Sequence, residues 1–502
     1  MSEETTTTIS ESEQELQRKE NLKKLYEAGK KPYGGRFNVT TSVENIIKEF
    51  SEMEQDKEGP LVTIAGRLMA IREHGKATFG NLSDKGGQIQ IYFKEDYVGK
   101  ENYAILKYID LGDIIGITGN IFKTRRGELT VLIRSFEILS KCLHPLPEKW
   151  HGLRDIEIRY RKRYLDLMTN EDVRKTFILR SKAISVIRTL LDGKGFIEVE
   201  TPVMSSLAGG ASARPFVTHH NTLDMNLFLR IATELYLKRC IVGGLEKVYE
   251  IGKAFRNEGI STKHNPEFTM IELYEAYGDY ETMMRITEEI IAAVGEKVFN
   301  TYETPYKDGS MINLKPPYKR ATFAQLLKEH GNIELKDLKD KNKAAEIAKK
   351  LNIDIEKNAP VAHIMDKIFE TVVEPHLIQP TFVMDYPIEL SPLAKKKDDD
   401  SDLTYRFELF INHNEIANAF SELNDPADQL ERFQEQVKLK EEGADETHPL
   451  DEDFIMALEY GMPPTGGLGI GIDRLMMLYT NSPSIRDVIL FPLMKPQKGT
   501  GD

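Results

Sequence analysis

Residues 250–277 read EIGKAFRNEGISTKHNPEFTMIELYEAY, two strand-like runs joined by a charged loop that carries Arg256, Glu258 and His264. Successive side chains of a strand point to opposite sides, so Phe268, Met270, Glu272 and Tyr274 share one face. An aromatic plane, a carboxylate and a phenol beside an arginine suit a site that holds a purine, a phosphate and an amine together. An amphipathic hairpin with a solvated polar loop explains the alternation. It does not explain why Phe255-Arg256-Asn257-Glu258 stands on one side of the loop and His264-Asn265-Pro266-Glu267-Phe268 on the other.

Downstream, residues 405–410 and 415–423 form a second expected strand pair around the turn residues Asn412-His413-Asn414. Glu408, Glu415 and Glu422 lie seven residues apart, which on a helix makes a solvated acidic stripe, but the turn breaks that helix. In the second strand Asn418, Phe420 and Glu422 fall on one face, a set suited to an alkyl-ammonium group through charge-assisted hydrogen bonds. Three uncompensated carboxylates raise one another's pKa, so Glu408 and Glu415 need another role. Mg2+ offers one, since it takes few protein carboxylates and completes its shell with phosphate oxygens and water. Residues 463–474, PPTGGLGIGIDR, read as a glycine-rich strand running into a helix over 475–480. Glycine permits close approach of a ligand, and a helix start favours anions. No GxxxxGK[ST] sequence occurs, which disfavours a P-loop mechanism.

Upstream of the hairpin, residues 61–143 carry about five short alternating strands punctuated by turns such as Lys85-Gly86-Gly87, with a helical interruption at 103–107. This pattern fits an OB-fold barrel, which binds single-stranded nucleic acid by stacking bases on aromatics in a basic groove. Phe79 and Gln90 are the strand residues to place on that surface, with Glu128 in a nearby loop, although pattern alone favours Phe79 as plain core. Pro145-Leu146-Pro147 marks a linker. A helical pattern runs from Asn170 to Gly193, followed by the strand and proline turn GFIEVETP at 195–202.

The chain has 502 residues, 40% hydrophobic and 29% charged, which implies two or three domains of a globular protein. No apolar run approaches the roughly 20 residues that span a bilayer, and the acidic, Ser/Thr-rich start MSEETTTTISESEQEL has no signal-peptide core. Two cysteines, Cys142 and Cys240, make neither a disulfide framework nor a four-cysteine zinc site and point to a reducing, cytoplasmic setting. A net charge of −13 argues against an RNA partner, but local field and global charge are separate quantities. Basic clusters at Arg18-Lys19, Lys23-Lys24, Lys30-Lys31, Lys123-Thr124-Arg125-Arg126 and from Arg159 to Arg163 leave RNA open.

The hairpin resembles motif 2 of the class II aminoacyl-tRNA synthetases, the helix-strand-proline unit resembles motif 1, and GLGIGIDR resembles motif 3. With an OB-like block preceding them, their order resembles subclass IIb. The stretches AGGASARPF at 208–216 and ATELYLK at 232–238 are similar to the bacterial-type lysyl branch. The signatures of class I synthetases, HIGH and KMSKS, are missing from the sequence.

The resemblance implies an α+β chain. A tail and helical segment covers 1–60, an OB-fold anticodon-binding domain 61–144 and a linker 145–169. A class II catalytic domain with an antiparallel sheet flanked by helices covers 170–502, with a helical insertion at about 280–375. It also implies activation of L-lysine by ATP and transfer to tRNA(Lys), up to three Mg2+ ions with ATP, and a homodimer through motif 1. Arg256 and Arg474 are then the catalytic arginines, and Arg256, Glu258, His264, Phe268, Glu408, Glu415 and Arg474 the ATP contacts, with Glu408 and Glu415 holding metal. Gly210, Glu234, Arg256, Glu272, Tyr274, Asn418, Phe420 and Glu422 are the lysine contacts, and Phe79, Gln90 and Glu128 read the anticodon. Two departures are the Lys395–Asp400 run, where the family has a variable loop, and Ala417, where glycine is frequent. A paralogue with a different acceptor and a catalytically dead RNA-binding scaffold are the rival readings. Arg256, Glu408, Glu415 and Arg474 together disfavour the scaffold.

Overall fold

Ile89, Ile91 and Phe93 alternate with Gln88, Gln90 and Tyr92, and the period of two sends the three apolar side chains into a core where each is at most 3% exposed. The computed structural model describes residues 12–146, 155–211, 213–356, 359–442 and 448–497. The chain divides into a unit of residues 1–154 and one of 155–502. Of the tail expected from 1 to about 15, residues 1–11 lie outside the described residues, as do Pro147, Trp150 and Ser212, while residues 13–15 form the first turn of a helix.

In the first unit five strands close a barrel in the order β1-β2-β3-β5-β4: β1 (Glu58–His74), β2 (Ala77–Asp84), β3 (Gly87–Lys94), β4 (Ile114–Lys123) and β5 (Leu129–Ser140). Closure comes from β1 pairing antiparallel with both β2 and β4, and from β3 pairing parallel with β5. The helix Glu13–Glu27 starts at a capping box in which Ser12 and Glu15 satisfy each other's backbone N–H groups.

In the second unit an eight-stranded sheet runs β9-β10-β11-β12-β13-β8-β7-β6. Its strands are β6 (Ile197–Glu198), β7 (Lys247–Phe255), β8 (Glu267–Ala276), β9 (Lys319–Thr322), β10 (Thr381–Met384), β11 (Arg406–Ile411), β12 (Asn414–Ser421) and β13 (Thr465–Gly471). Only β6 with β7 and β9 with β10 are parallel pairs. The tight β11–β12 turn has Asn412 at φ 52 and His413 at φ 60, the left-handed pair a two-residue hairpin requires. Odd-numbered side chains of β7, β8 and β11 (Tyr249, Ile271, Leu273, Phe407, Leu409) bury against Ala183, Ile187 and Leu191 of helix α1 (Glu171–Gly193) and Met283, Ile286 and Ile290 of helix α3 (Tyr280–Val294). Even-numbered side chains of the same strands are thereby committed to the opposite face. Helix α2 (Glu234–Val242) precedes β7, and helix α4 (Ile472–Thr480) follows β13.

Some sequence expectations change. Residues 156–169, read as linker, form the helices Ile156–Arg161 and Arg163–Thr169 within the second unit. The arginines of the basic stretch there are engaged within the unit, while Lys162 between them is exposed. Arg163 is fully buried, pairs with Asp166 at 2.7 Å and donates to the carbonyls of Arg486, Ile489 and Leu490, while Arg159 also reaches Asp166. The insertion is not all helical: it holds the hairpin of Glu303–Pro305 with Met311–Asn313, and β9. Helix α4 starts at Ile472 instead of 475, which puts Arg474 in its first turn.

Candidate active site

Strand register assembles the site. Across five strands Glu408, Asn418, Gly469, Glu272 and Glu250 are successive cross-strand partners, and the neighbouring row is Arg406, Phe420, Gly467, Tyr274 and Val248. Residues as far apart in sequence as Glu272 and Gly469 therefore meet because each strand's period of two is phased by its apolar partners in the core. Glycine fits Gly467 because a Cβ there collides with the Glu422 carboxylate and lies 2.5 Å from the Tyr274 ring. Gly210 adopts φ +90, and its backbone lies close beside Glu234.

One end of this face is cationic. Arg256 lies 5.2 Å above the Phe268 ring centroid, and its buried Nε has no hydrogen-bond partner. Arg474 donates to the Glu415 carbonyl at 2.7 Å and to its carboxylate at 3.1 Å, and lies 3.4 Å from His264 Nε2. The His264 pKa is pushed down by desolvation and then by Arg474, Lys263 and Arg256. A neutral imidazole among three cations is a field built for a polyanion. Glu258 sits exposed on the loop.

The other end is anionic and closed. Glu234, Glu272 and Glu422 are each at most 6% exposed, and Tyr274 lies among them. Burial and the neighbouring Glu234 push Glu272 up to about 7, and burial likewise raises Glu234 and Glu422. Glu272 accepts from the Thr233 backbone N–H at 3.2 Å through Oε1, whereas its Oε2, Thr233 Oγ1 and Glu422 Oε1 are buried without hydrogen-bond partners. Lys238, fully buried on α2, ion-pairs with both Glu234 and Glu422. One ammonium against three carboxylates leaves this end short of positive charge, and unpartnered buried acceptors cost about 1–3 kcal/mol each until something donates to them.

Between the two ends, Arg406 pairs with Glu408, bonds Asn418 Oδ1 at 3.2 Å and lies 5.5 Å from the Phe420 ring centroid. Tyr386 donates to Glu408 at 2.7 Å. Burial and the Glu415 charge push Glu408 up against the opposing pull of Arg406. A dication between Glu408 and Glu415 relieves that repulsion. Among the described residues no group of three or more His, Cys, Asp or Glu could hold a metal ion; the carboxylate pair suits Mg2+, which takes few protein carboxylates and completes its shell with phosphate oxygens and water.

In the first unit, Phe79 and Tyr92 are cross-strand partners whose rings stack at 4.4 Å and 9° on the outer face of β2 and β3. On the same face Gln90 donates to Glu128 at 2.7 Å and accepts from Thr130 at 2.8 Å. The expected trio thus shares one surface, to which the structure adds Tyr92, while Thr130 holds Gln90 from a buried position.

The expected strand residues of the catalytic domain also converge on one face, while Glu258 stands on the exposed loop. Lys238 and Arg406 were missed. The i, i+4 spacing of Glu234 and Lys238 signals that the two share a helix face, but Glu422 joins them only through the tertiary fold.

Residues 155–495 match the family model for class II tRNA synthetases (D, K and N), and residues 62–139 match that for OB-fold nucleic acid binding domains. The lysine-tRNA ligase of Carboxydothermus hydrogenoformans is 57% identical over 480 residues, covering 96% of this chain and 97% of its own. That of Pelotomaculum thermopropionicum is 57% identical over 483 residues (96% and 94%), and that of Moorella thermoacetica 53% over 481 (96% and 97%). Among the described residues no helix is long and apolar enough to cross a membrane. The strands of the three motifs in one sheet, the barrel ahead of them in sequence and relatives that match nearly end to end lead to one conclusion: the chain belongs to the class II tRNA synthetases of the aspartate, lysine and asparagine group.

Proposed function

We propose that the chain is an ATP-dependent lysine-tRNA ligase that activates L-lysine to lysyl-adenylate with release of pyrophosphate and transfers the lysyl group to the 3′ end of tRNA(Lys). The observation that carries the lysine assignment is the anionic end of the site, where Glu272 Oε2 and Glu422 Oε1 are buried acceptors without donors. An amino acid with two ammonium groups supplies the missing charge and donors together; aspartate or asparagine supplies only one ammonium and puts a carboxylate or amide beside Glu422.

Glu234, Glu272 and the Gly210 backbone take the α-amino group, while Glu422, Tyr274, Asn418 and Phe420 select the ε-amino end. Arg256 then lies where the lysine carboxylate meets the α-phosphate, orienting the nucleophile and stabilising charge on the phosphate as the new P–O bond forms. Phe268 stacks on adenine, Glu258 and His264 contact the nucleotide, and Arg474 holds the γ-phosphate. Glu408 and Glu415 are the residues to hold Mg2+, which when bound neutralises phosphate charge. No side chain acts as a covalent nucleophile.

On the barrel, Phe79, Gln90 and Glu128 read anticodon bases, with Tyr92 extending the stacking platform. A second copy of the chain covers the apolar surface near α1, where Ile178 (51% exposed), Phe491 (70%) and Leu493 (55%) lie open to solvent. The function is tested by charging tRNA(Lys) transcript with radiolabelled lysine and ATP: stoichiometric lysyl-tRNA is expected, and no product with active tRNA overturns the assignment. Sedimentation tests the dimer, which a monomer at micromolar concentration contradicts.

A further inference from the structure

Lys238 is a buried cation in the anionic pocket to which the lysine-binding reading gives no task. It rises from the second turn of α2, one turn beyond Glu234, with its side chain entirely shielded from solvent. Its ammonium touches Glu234 Oε1 on one side and Glu422 Oε2 on the other, and the Phe454 ring closes the cavity 5.9 Å from Nζ. These two carboxylates come from different parts of the fold. Glu234 belongs to a helix, and Glu422 follows β12, its backbone N–H bonded to the Thr465 carbonyl at 2.8 Å.

The charged and titratable groups facing this triad are Glu272 and Tyr274 from β8, Arg406 from β11 and buried His448. Of these Arg406 is the only other permanent cation, and it is spent on Glu408.

We propose that Lys238 is a positioning residue for amino-acid selection: its ammonium clamps Glu234 and Glu422 at a fixed separation and favours their charged forms, so that the pocket accepts two ammonium groups spaced as in lysine. The inference rests on the lysine-pocket assignment made above. Lys238 uses one oxygen of each carboxylate, and Glu422 Oε1 remains buried without a hydrogen-bond partner. The clamp thus orients the acceptor for the substrate instead of consuming it. A core lysine that only filled space has no reason to bridge the two acids that define the ends of the pocket. Without the bridge, two like-charged carboxylates beside a third favour taking up protons, and a protonated pair is a poor receptor for a cation.

The test uses full-length Lys238→Met, which keeps the volume, and Lys238→Gln, which keeps a donor but no charge. Lysine-dependent ATP-pyrophosphate exchange is followed from pH 6 to 8.5, with KM for lysine and ATP measured separately and ornithine as competing substrate. In both variants the lysine KM is expected to rise roughly 100-fold near pH 7 while the ATP KM stays within about threefold. The acid limb of kcat/KM for lysine moves up by about one pH unit, so part of the loss is recovered by pH 8.5. Preference for lysine over ornithine narrows in parallel.

Equal rises in the two KM values, or an acid limb that does not move, overturn the clamp. Failure of Lys238→Gln to fold assigns the residue to the core and overturns it as well. A wild-type enzyme whose exchange does not depend on lysine refutes the pocket assignment itself; lysine-dependent wild type with unaltered variants refutes only the clamp.

Discussion

The barrel face and the sheet pocket bind by opposite means. On the barrel, Gln90, Glu128 and Thr130 already satisfy one another, and Phe79 is already stacked on Tyr92. A base arriving there adds a stacking partner to a surface that is stable alone. In the sheet pocket, buried acceptors lack donors and three carboxylates face one ammonium, so the ligand completes the structure. A self-satisfied face loses a modest increment when trimmed, whereas an incomplete one loses nearly all function when its charge pattern is altered.

Four measurements bear on that contrast. The largest effect belongs to Arg256→Ala, expected to cut ATP-pyrophosphate exchange about 1,000-fold or more while the protein stays folded, because the arginine acts on charge that develops in the transition state. Near-normal exchange breaks the assignment. Next, Glu422→Gln should raise the lysine KM about 100-fold with little change in the ATP KM; an equal rise in both makes Glu422 structural. On the barrel, Phe79→Ala should lower the efficiency of tRNA charging by about 10-fold or somewhat more, since stacking is worth ~1–3 kcal/mol per base. Adenylate formation should be spared, and an equal loss in both removes the anticodon role.

The smallest effect is a thermal shift. Glu272, raised to about 7, and Glu422, also raised, bind protons in the ligand-free fold that the unfolded chain has already released above its ordinary carboxyl pKa. The native state then binds more protons than the unfolded one, so ligand-free stability falls as pH climbs from about 5 to 8. Lysine binds the ionised acids, so the melting-temperature rise it produces should grow from pH 6 to pH 8 by a few degrees. A shift that shrinks over that range contradicts the electrostatics of the pocket.

Much of this was legible in the amino-acid order. The period of two in 267–276 placed Glu272 and Tyr274 on the site face and Ile271 and Leu273 in the core, and the Asn412-His413 turn separated Glu408 from Glu415. What stayed hidden depends on long-range register. That Glu422 meets an α2 lysine and that Tyr92 stacks on Phe79 each require pairings between separate segments, whereas Arg406 beside Glu408, two residues apart on one strand, was open to the period of two and was overlooked. The basic stretch from Arg159 to Arg163 misled for the related reason that a charge run has no mark of its partners. Arg163 finds Asp166 three residues on and carbonyls more than 300 residues away.

The most direct test of the central claim is ATP-pyrophosphate exchange supplied with each of the twenty amino acids in turn. Lysine should support exchange at least ~1,000-fold above every other, because only it places an ammonium at each end of the pocket. Comparable exchange with aspartate or asparagine, or exchange indifferent to lysine, contradicts the account.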